Sequence, residues 1–396
     1  MITKVMKDFL QSESSGGIIL ILFTVLAFIV VNSDLNHLYH SVLSSKASLN
    51  IPLLYIYKDL TVKEWINDGF MAIFFLLVGL ELKREIVRGE LSSKSKVILP
   101  IIAAMGGVMV PAIIYSNFNF YDQTQLRGWA IPTATDIAFA VGVLNIFGKK
   151  IANSLKIFLI ALAIIDDLIA ILIIVLFYSH NINVAYLDLA FLIIICLFIF
   201  NKLKINNLLL YLASGIVLWA LILKSGVHPT ISGVILAFFI PISPKTRKHD
   251  LNSPLHRLEK SLYGPVSYII LPTFAFANAG IDLSMVSGDM LLHNVVLGIA
   301  LGLFLGKQIG VGCSVLLLSK LNIIPFFRNA NWLEFYGVAL LTGIGFTMSL
   351  FIANLSFDYA EGLINEAIMG VMLGSFLSAV TGCIVLLFAI KNKNKI

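Results

Sequence analysis

The chain is a succession of long apolar runs separated by short charged or turn-forming segments. A hydrocarbon core about 30 Å thick is crossed by about 20 mostly apolar helical residues. Runs of this kind, bounded by charges, Pro/Gly or Asn/Asp clusters, fall at 16–31, 65–82, 97–114, 129–147, 155–178, 184–200, 206–223, 227–242, 261–280, 293–318, 332–356 and 363–390. In lipid every backbone N–H and C=O needs a partner within the protein, so these runs predict helices. The expected fold is an all-α polytopic membrane protein, one domain over 1–396 with twelve transmembrane helices. Composition agrees: 59% of the 396 residues are hydrophobic and 13% charged, against roughly 45–50% and about 25% in soluble domains.

The positive charges orient this bundle. Basic residues accumulate in short cytoplasmic loops. With the runs alternating, 22 of the 28 Lys and Arg residues fall on the side of the N-terminus, from Lys4 and Lys7 through Lys83, Arg84 and Arg88 to Lys391, Lys393 and Lys395. Lys46, Lys58, Lys63, Arg127 and Lys224 fall on the other side, and Lys307 lies within a span. Both termini are therefore expected in the cytoplasm. The net charge of +6 marks orientation, not a basic face for nucleic acid.

Cys196, Cys313 and Cys383 sit in apolar runs without ligand-like spacing, so neither a disulfide framework nor a zinc site is expected. No small-residue cleavage site follows the first run, so a cleaved signal peptide is not expected either. The longest external connection, 33–64, contains the β-prone stretch 49–57. It reads as a small hairpin or as an irregular loop, and a hairpin could pair edge to edge with a second copy.

Four ionisable residues lie deep inside apolar runs: Asp136, Asp166, Asp167 and Lys307. Each opposes insertion by roughly 2.5–3.5 kcal/mol unless partnered. Asp166 and Asp167 stand side by side in the fifth run, with roughly ten apolar residues on each flank. Adjacent helical side chains point about 100° apart, so the two can serve different surroundings. Desolvation and mutual repulsion favour a bound proton or cation over two bare charges. A polar pair solvated at an interface is the plain alternative, which the flanks oppose. Lys307, in Gly306-Lys307-Gln308, either counters an aspartate or snorkels to the membrane surface.

Asp136 follows Pro132, Thr133 and Thr135, a poor continuous helix but a good helix start. The eleventh run carries Thr342-Gly343-Ile344-Gly345-Phe346-Thr347, which marks either an unwound segment or close helix packing. The fourth and eleventh runs are the middle members of two three-span blocks, 97–178 and 293–390, that start on opposite sides of the membrane. Spans 3–5 and 10–12 would then be inverted-topology repeats, with discontinuous, crossing helices at spans 4 and 11. The remaining spans would form a panel beside this core. Crossed broken helices gather helix ends of both signs, which Asp136 and Lys307 could offset.

The runs Phe74 to Glu85, Thr133 to Leu144, Leu162 to Leu168, Gly226-Val227-His228, Phe274 to Gly280 and Gly343 to Ser349 together resemble the NhaA family of bacterial sodium/proton antiporters, over nearly the whole chain. The resemblance implies an electrogenic, pH-regulated secondary transporter of the bacterial inner membrane, not an enzyme. It would export sodium, with lithium as an alternative cargo, in exchange for external protons, and would need no cofactor. It implies that Asp166 and Asp167 bind sodium and protons, that Thr135 and Asp136 line the crossing, and that Lys307 neutralises the crossing or pairs with an aspartate. It also implies a pH response at Glu81, Arg84, Glu85 and Glu259, with His228 on the opposite side, and a homodimer through the external hairpin around 45–58. Read alone, Glu81, Arg84 and Glu85 are a solvated helix end and His228 a packed interfacial histidine. Lys260 and Tyr263 stand where some members carry histidines, which bears on the pH range of the response.

Three other readings compete with transport of this kind. An intramembrane aspartyl protease needs carboxylates converging on one proton, whereas helix neighbours diverge. A passive cation channel is opposed by Lys307 and the paired acids. An antiporter for an organic solute differs only in its cargo.

Overall fold

The computed structural model describes residues 15–52, 55–89, 92, 94–179, 182–242, 253–285, 288–322, 327, 329–358 and 360–393. Lys4, Lys7, Lys245, Arg247, Lys248, Arg328 and Lys395, used above for orientation, lie outside the described residues, as does the expected hairpin tip at 53–54.

Among the described residues eight helices are long and apolar enough to cross a membrane: Val97–Asn119, Gln123–Ile146, Asn153–Phe177, Val184–Lys202, Leu208–Ser225, Asn294–Lys320, Trp332–Ser356 and Gly362–Lys393. Ser15–Val31 and Asn36–Ser44, bent by 112°, make a ninth if taken as one span. The runs at 65–82 and 261–280 lie in helical stretches carrying π turns, at Trp65–Phe70 and Val266–Ile270. The run at 227–242 forms the short helix Ile231–Phe239, about 14 Å at ~1.5 Å per residue. The protein is thus an all-α membrane protein with, among the described residues, one small hairpin.

Two compact units divide the chain. The first comprises Met1–Phe28, Ser93–Ala170 and Asn278–Ile396. It holds both three-span blocks except residues 171–178. Here the Lys94–Asn119 helix lies against the Asn294–Lys320 helix with small residues at the contact. A Cβ on Gly106 would stand 2.5 Å from the Gly310 carbonyl oxygen, and one on Gly310 would stand 2.1 Å from that of Gly106. Backbone touches backbone, which only glycine permits at this distance. The 33-residue helix Glu361–Lys393 packs along Trp332–Leu341 and Asn294–Leu301. Its last turn reaches a buried acid: Lys393 Nζ lies 2.8 Å from Glu334 Oε1, and the Glu334 side chain is fully buried. Glu334 Oε2 also closes a capping box with Asn331 at the start of the Trp332–Leu341 helix. Phe158, Phe327 and Phe335 cluster beside this start, with ring centroids 4.9–6.2 Å apart.

The second unit comprises Ile29–Ser92 and Ile171–Ala277. The expected hairpin is present: Lys46–Ile51 pairs antiparallel with Ile56–Thr61, in register from Lys46↔Thr61 to Ile51↔Ile56. Its second strand alternates as a half-buried strand should, with Ile56 and Leu60 fully buried and Tyr57 exposed. Ile56 joins an apolar core with Leu76, Leu80, Leu218, Leu221 and Leu236. Trp65 Nε1 donates to Ala47 O and Lys224 Nζ to Tyr57 O, tying the hairpin to two helices.

Candidate functional site

Two of the four intramembrane charges that cost most in the sequence, Asp166 and Lys307, meet in one place. Asp166 lies midway along the Asn153–Phe177 helix and is 1% exposed. Its Oδ2 accepts from Lys307 Nζ at 2.6 Å and from Thr135 Oγ1 at 2.8 Å. Lys307 is fully buried, so snorkelling is not its arrangement. The sequence left its partner open, and the structure places Asp166 there. Asp166 Oδ1 is buried and makes no hydrogen bond among the described residues. The Thr135 hydroxyl also stands 2.8 Å from the Thr342 carbonyl oxygen. A carboxylate, a hydroxyl and a main-chain carbonyl thus converge: hard oxygen ligands of the sort that suit a desolvated cation. Asp167, next along the helix and also 1% exposed, points about 100° away.

The local chain breaks explain why these atoms are free to meet. Arg127–Thr133 is a 3-10 turn, Ala134 to Asp136 is extended, and Ile137–Ile146 is helical again. Likewise Trp332–Leu341 ends and Phe346–Ser356 begins after an interruption at 342–345. The two interruptions are bonded to each other. Asp136 N donates to Ile344 O at 2.7 Å, and Ser349 Oγ donates to Ile131 O at 2.7 Å. Asp136 caps both restarting helices. Its Oδ1 accepts from Phe139 N at 2.9 Å, and its Oδ2 accepts from Thr347 N at 3.0 Å and from the Thr347 hydroxyl. Each freed N–H at a helix start carries partial positive charge, so one carboxylate here answers two helix ends. The expected role of Asp136 at helix starts has this geometry. Lys307, open in the sequence between the opposite helix ends and an aspartate, is bonded to Asp166. Gly345 N donates to Ser375 Oγ at 3.3 Å, a contact from the last helix that the sequence did not announce.

The residues expected to respond to pH divide into two places within the second unit. Arg84 Nε donates to Glu259 Oε1 at 2.9 Å, and Arg84 Nη1 lies 2.5 Å from Glu85 Oε1. His256 Nδ1 stands 3.9 Å from the second oxygen of Glu259. Glu81 lies one helical turn before Arg84 and Glu85. His228 is elsewhere: its Nε2 is 3.5 Å from Asp68 Oδ1 and its Nδ1 is 3.0 Å from Thr230 Oγ1. Thr347, Thr342, Asp68 and His256 were absent from the expected set. Only the Thr342 to Thr347 stretch carried a signal, in its paired glycines and threonines. Among the described residues no three His, Cys, Asp or Glu side chains gather as a metal cluster.

A buried carboxylate–lysine pair set between two interrupted helices defines an ion-handling membrane protein. Residues 7–386 match the family model described as Na+/H+ antiporter 1, and the chain belongs to that family. It is 45% identical to the Na(+)/H(+) antiporter NhaA 1 of Magnetococcus marinus, covering 98% of this chain and 99% of the relative. It is 46% identical to the Na(+)/H(+) antiporter NhaA of Psychrobacter arcticus, covering 98% and 96%. It is 48% identical to the Na(+)/H(+) antiporter NhaA 2 of Saccharophagus degradans, covering 95% and 98%.

Proposed function

We propose that this protein exchanges cytoplasmic sodium for external protons across the bacterial inner membrane, with Asp166 and Asp167 as the groups that carry the ions. The observation that carries this reading is the arrangement at Asp166, where one buried carboxylate oxygen is shared by Lys307 and Thr135 while the other makes no hydrogen bond among the described residues. The Lys307 ammonium balances Asp166 when it holds neither a proton nor a cation. A sodium ion entering from the cytoplasm takes the place of Lys307 at Oδ2 and of protons on the pair. External protons reverse the step. Thr135 and the Thr342 carbonyl complete the oxygen set, and Asp136 holds the two helix starts together.

On this reading the chain spans the membrane twelve times with both termini in the cytoplasm. The blocks 97–178 and 293–390 are inverted repeats whose broken helices cross, and the remaining spans form the panel. Two carboxylates can exchange two protons for one monovalent cation. Exchange then moves net positive charge inward and is driven by the membrane potential, at about 2.3 kcal/mol per charge per 100 mV. The Arg84–Glu85–Glu259 cluster beside Glu81 adjusts activity to cytoplasmic pH, and His228 acts at the external side. Two copies join through the hairpin around 45–58.

Reconstitution decides between this and the rival readings. In proteoliposomes free of organic solutes, a sodium gradient should drive proton movement in the opposite direction, saturably. Sodium leak without proton movement would favour a channel, and flux only when an organic solute is supplied would favour a different antiporter.

A further inference from the structure

Lys307 is the first residue after a π turn, Gly302–Gly306, that interrupts an otherwise regular helix. Its N–H bonds Gly302 O, five residues back rather than four. One extra residue in the turn rotates everything beyond it by about 100° relative to an uninterrupted helix. The direction of the Lys307 side chain toward Asp166 therefore depends on the turn staying open. Such turns release backbone carbonyls that need other donors.

The neighbouring side chain donates into the turn. Gln308 Nε2 donates to Phe304 O at 2.6 Å, inside the π turn. The amide is held in this orientation from its other end, because Gln308 Oε1 accepts from Tyr336 Oη at 2.6 Å. Gln308 is 7% exposed, while the Tyr336 ring is 45% exposed. Tyr336 belongs to Trp332–Leu341, the helix that ends at the interruption where Thr342 faces Thr135. The chain of contacts runs Tyr336, Gln308, Phe304 O, then Lys307 and Asp166.

We propose that Gln308 and Tyr336 are positioning residues for ion exchange: together they prop the π turn open and so fix Lys307 on Asp166. Neither touches the ions. They set how strongly Lys307 competes with sodium for Asp166 Oδ2, and they tie that competition to the helix on which Tyr336 rides. This rests on Asp166 and Asp167 being the ion-carrying pair.

Proteoliposomes carrying Tyr336→Phe, Gln308→Leu, the double variant and Asp167→Asn test it. Tyr336→Phe removes one hydroxyl from a half-exposed ring, so it is the variant to rely on if Gln308→Leu fails to fold. Loosening Lys307 weakens sodium's competitor. The apparent KM for sodium should fall about two- to tenfold in each single variant, the range for one hydrogen bond, with kcat changing less. The double variant should be no further shifted than Gln308→Leu, because both changes break one chain. An apparent KM at or above the wild-type value in Tyr336→Phe, or shifts that multiply in the double variant, overturns the proposal. Full exchange in Asp167→Asn overturns the ion-site reading itself, whatever Tyr336→Phe does.

Discussion

The Asp136 carboxylate is bonded to Thr347, 211 residues further along the chain, while capping its own helix at Phe139. One buried acid thus fixes the start of two helices whose sequences share no local signal. Losing a single cap costs typically about 1 kcal/mol, and here two are lost at once inside lipid. Asp136→Ala should lower thermal stability in detergent by more than Thr347→Val, which removes a hydroxyl and leaves the backbone donor in place. A melting series on the purified variants checks the order; equal melting points would contradict the double cap.

The Gly106–Gly310 contact gives a second expectation. A methyl group at either position would enter the other helix's backbone. Gly106→Ala and Gly310→Ala should each destabilise by about 1–3 kcal/mol, the usual cost of overpacking. Gly107→Ala meets side chains and no backbone, Val311 Cγ2 at 3.0 Å and Lys307 Cδ and Nζ at 3.7 Å, and should cost less. The measurement is the fraction remaining monodisperse after heating, and a milder effect at Gly106 than at Gly107 would count against the packing described.

Glu334 and Lys393 form a pair in which the acid is fully buried and the base is half in the open. Removing the base leaves an uncompensated buried carboxylate, whereas removing both charges does not. Lys393→Ala should therefore lower thermal stability more than the double variant Glu334→Gln/Lys393→Ala. Additive losses in that cycle would show that the two residues act independently.

Arg84 and Glu259 offer a reciprocal test of the pH reading. Glu259→Ala removes the partner held at 2.9 Å and should move the pH midpoint of exchange, and the exchanged pair Arg84→Glu/Glu259→Arg should restore part of the shift. Activity against pH in everted vesicles reads both. A profile unmoved by Glu259→Ala removes this cluster from regulation.

Asp136, Asp166, Asp167 and Lys307 were legible in the sequence for one reason: a charge in an apolar run is expensive, so it announces itself without any knowledge of the fold. Their partners were not. Lys307 and Asp166 are 141 residues apart, and nothing local says whether the amine meets an aspartate, a helix end or the membrane surface. The π turn before Lys307 was equally silent, since Gly302-Leu303-Phe304-Leu305-Gly306 is also compatible with a regular helix. Glu334 drew no notice in the sequence, because the lysine that meets it arrives from the far end of the last helix. The hairpin was half legible: β-prone residues outside a span fitted a hairpin or an irregular loop, and the structure has the hairpin. The family motifs pointed to the residues proposed to respond to pH, and the structure supplied the partners they meet: Glu259 and Glu85 for Arg84, Asp68 for His228.

The central claim is that exchange runs through the paired acids of the Asn153–Phe177 helix. The most direct test is sodium-dependent proton release from everted membrane vesicles carrying Asp167→Asn, compared at equal protein levels with wild type. The account predicts release in the wild type and none above background in the variant. Wild-type release from the Asp167→Asn vesicles would contradict it.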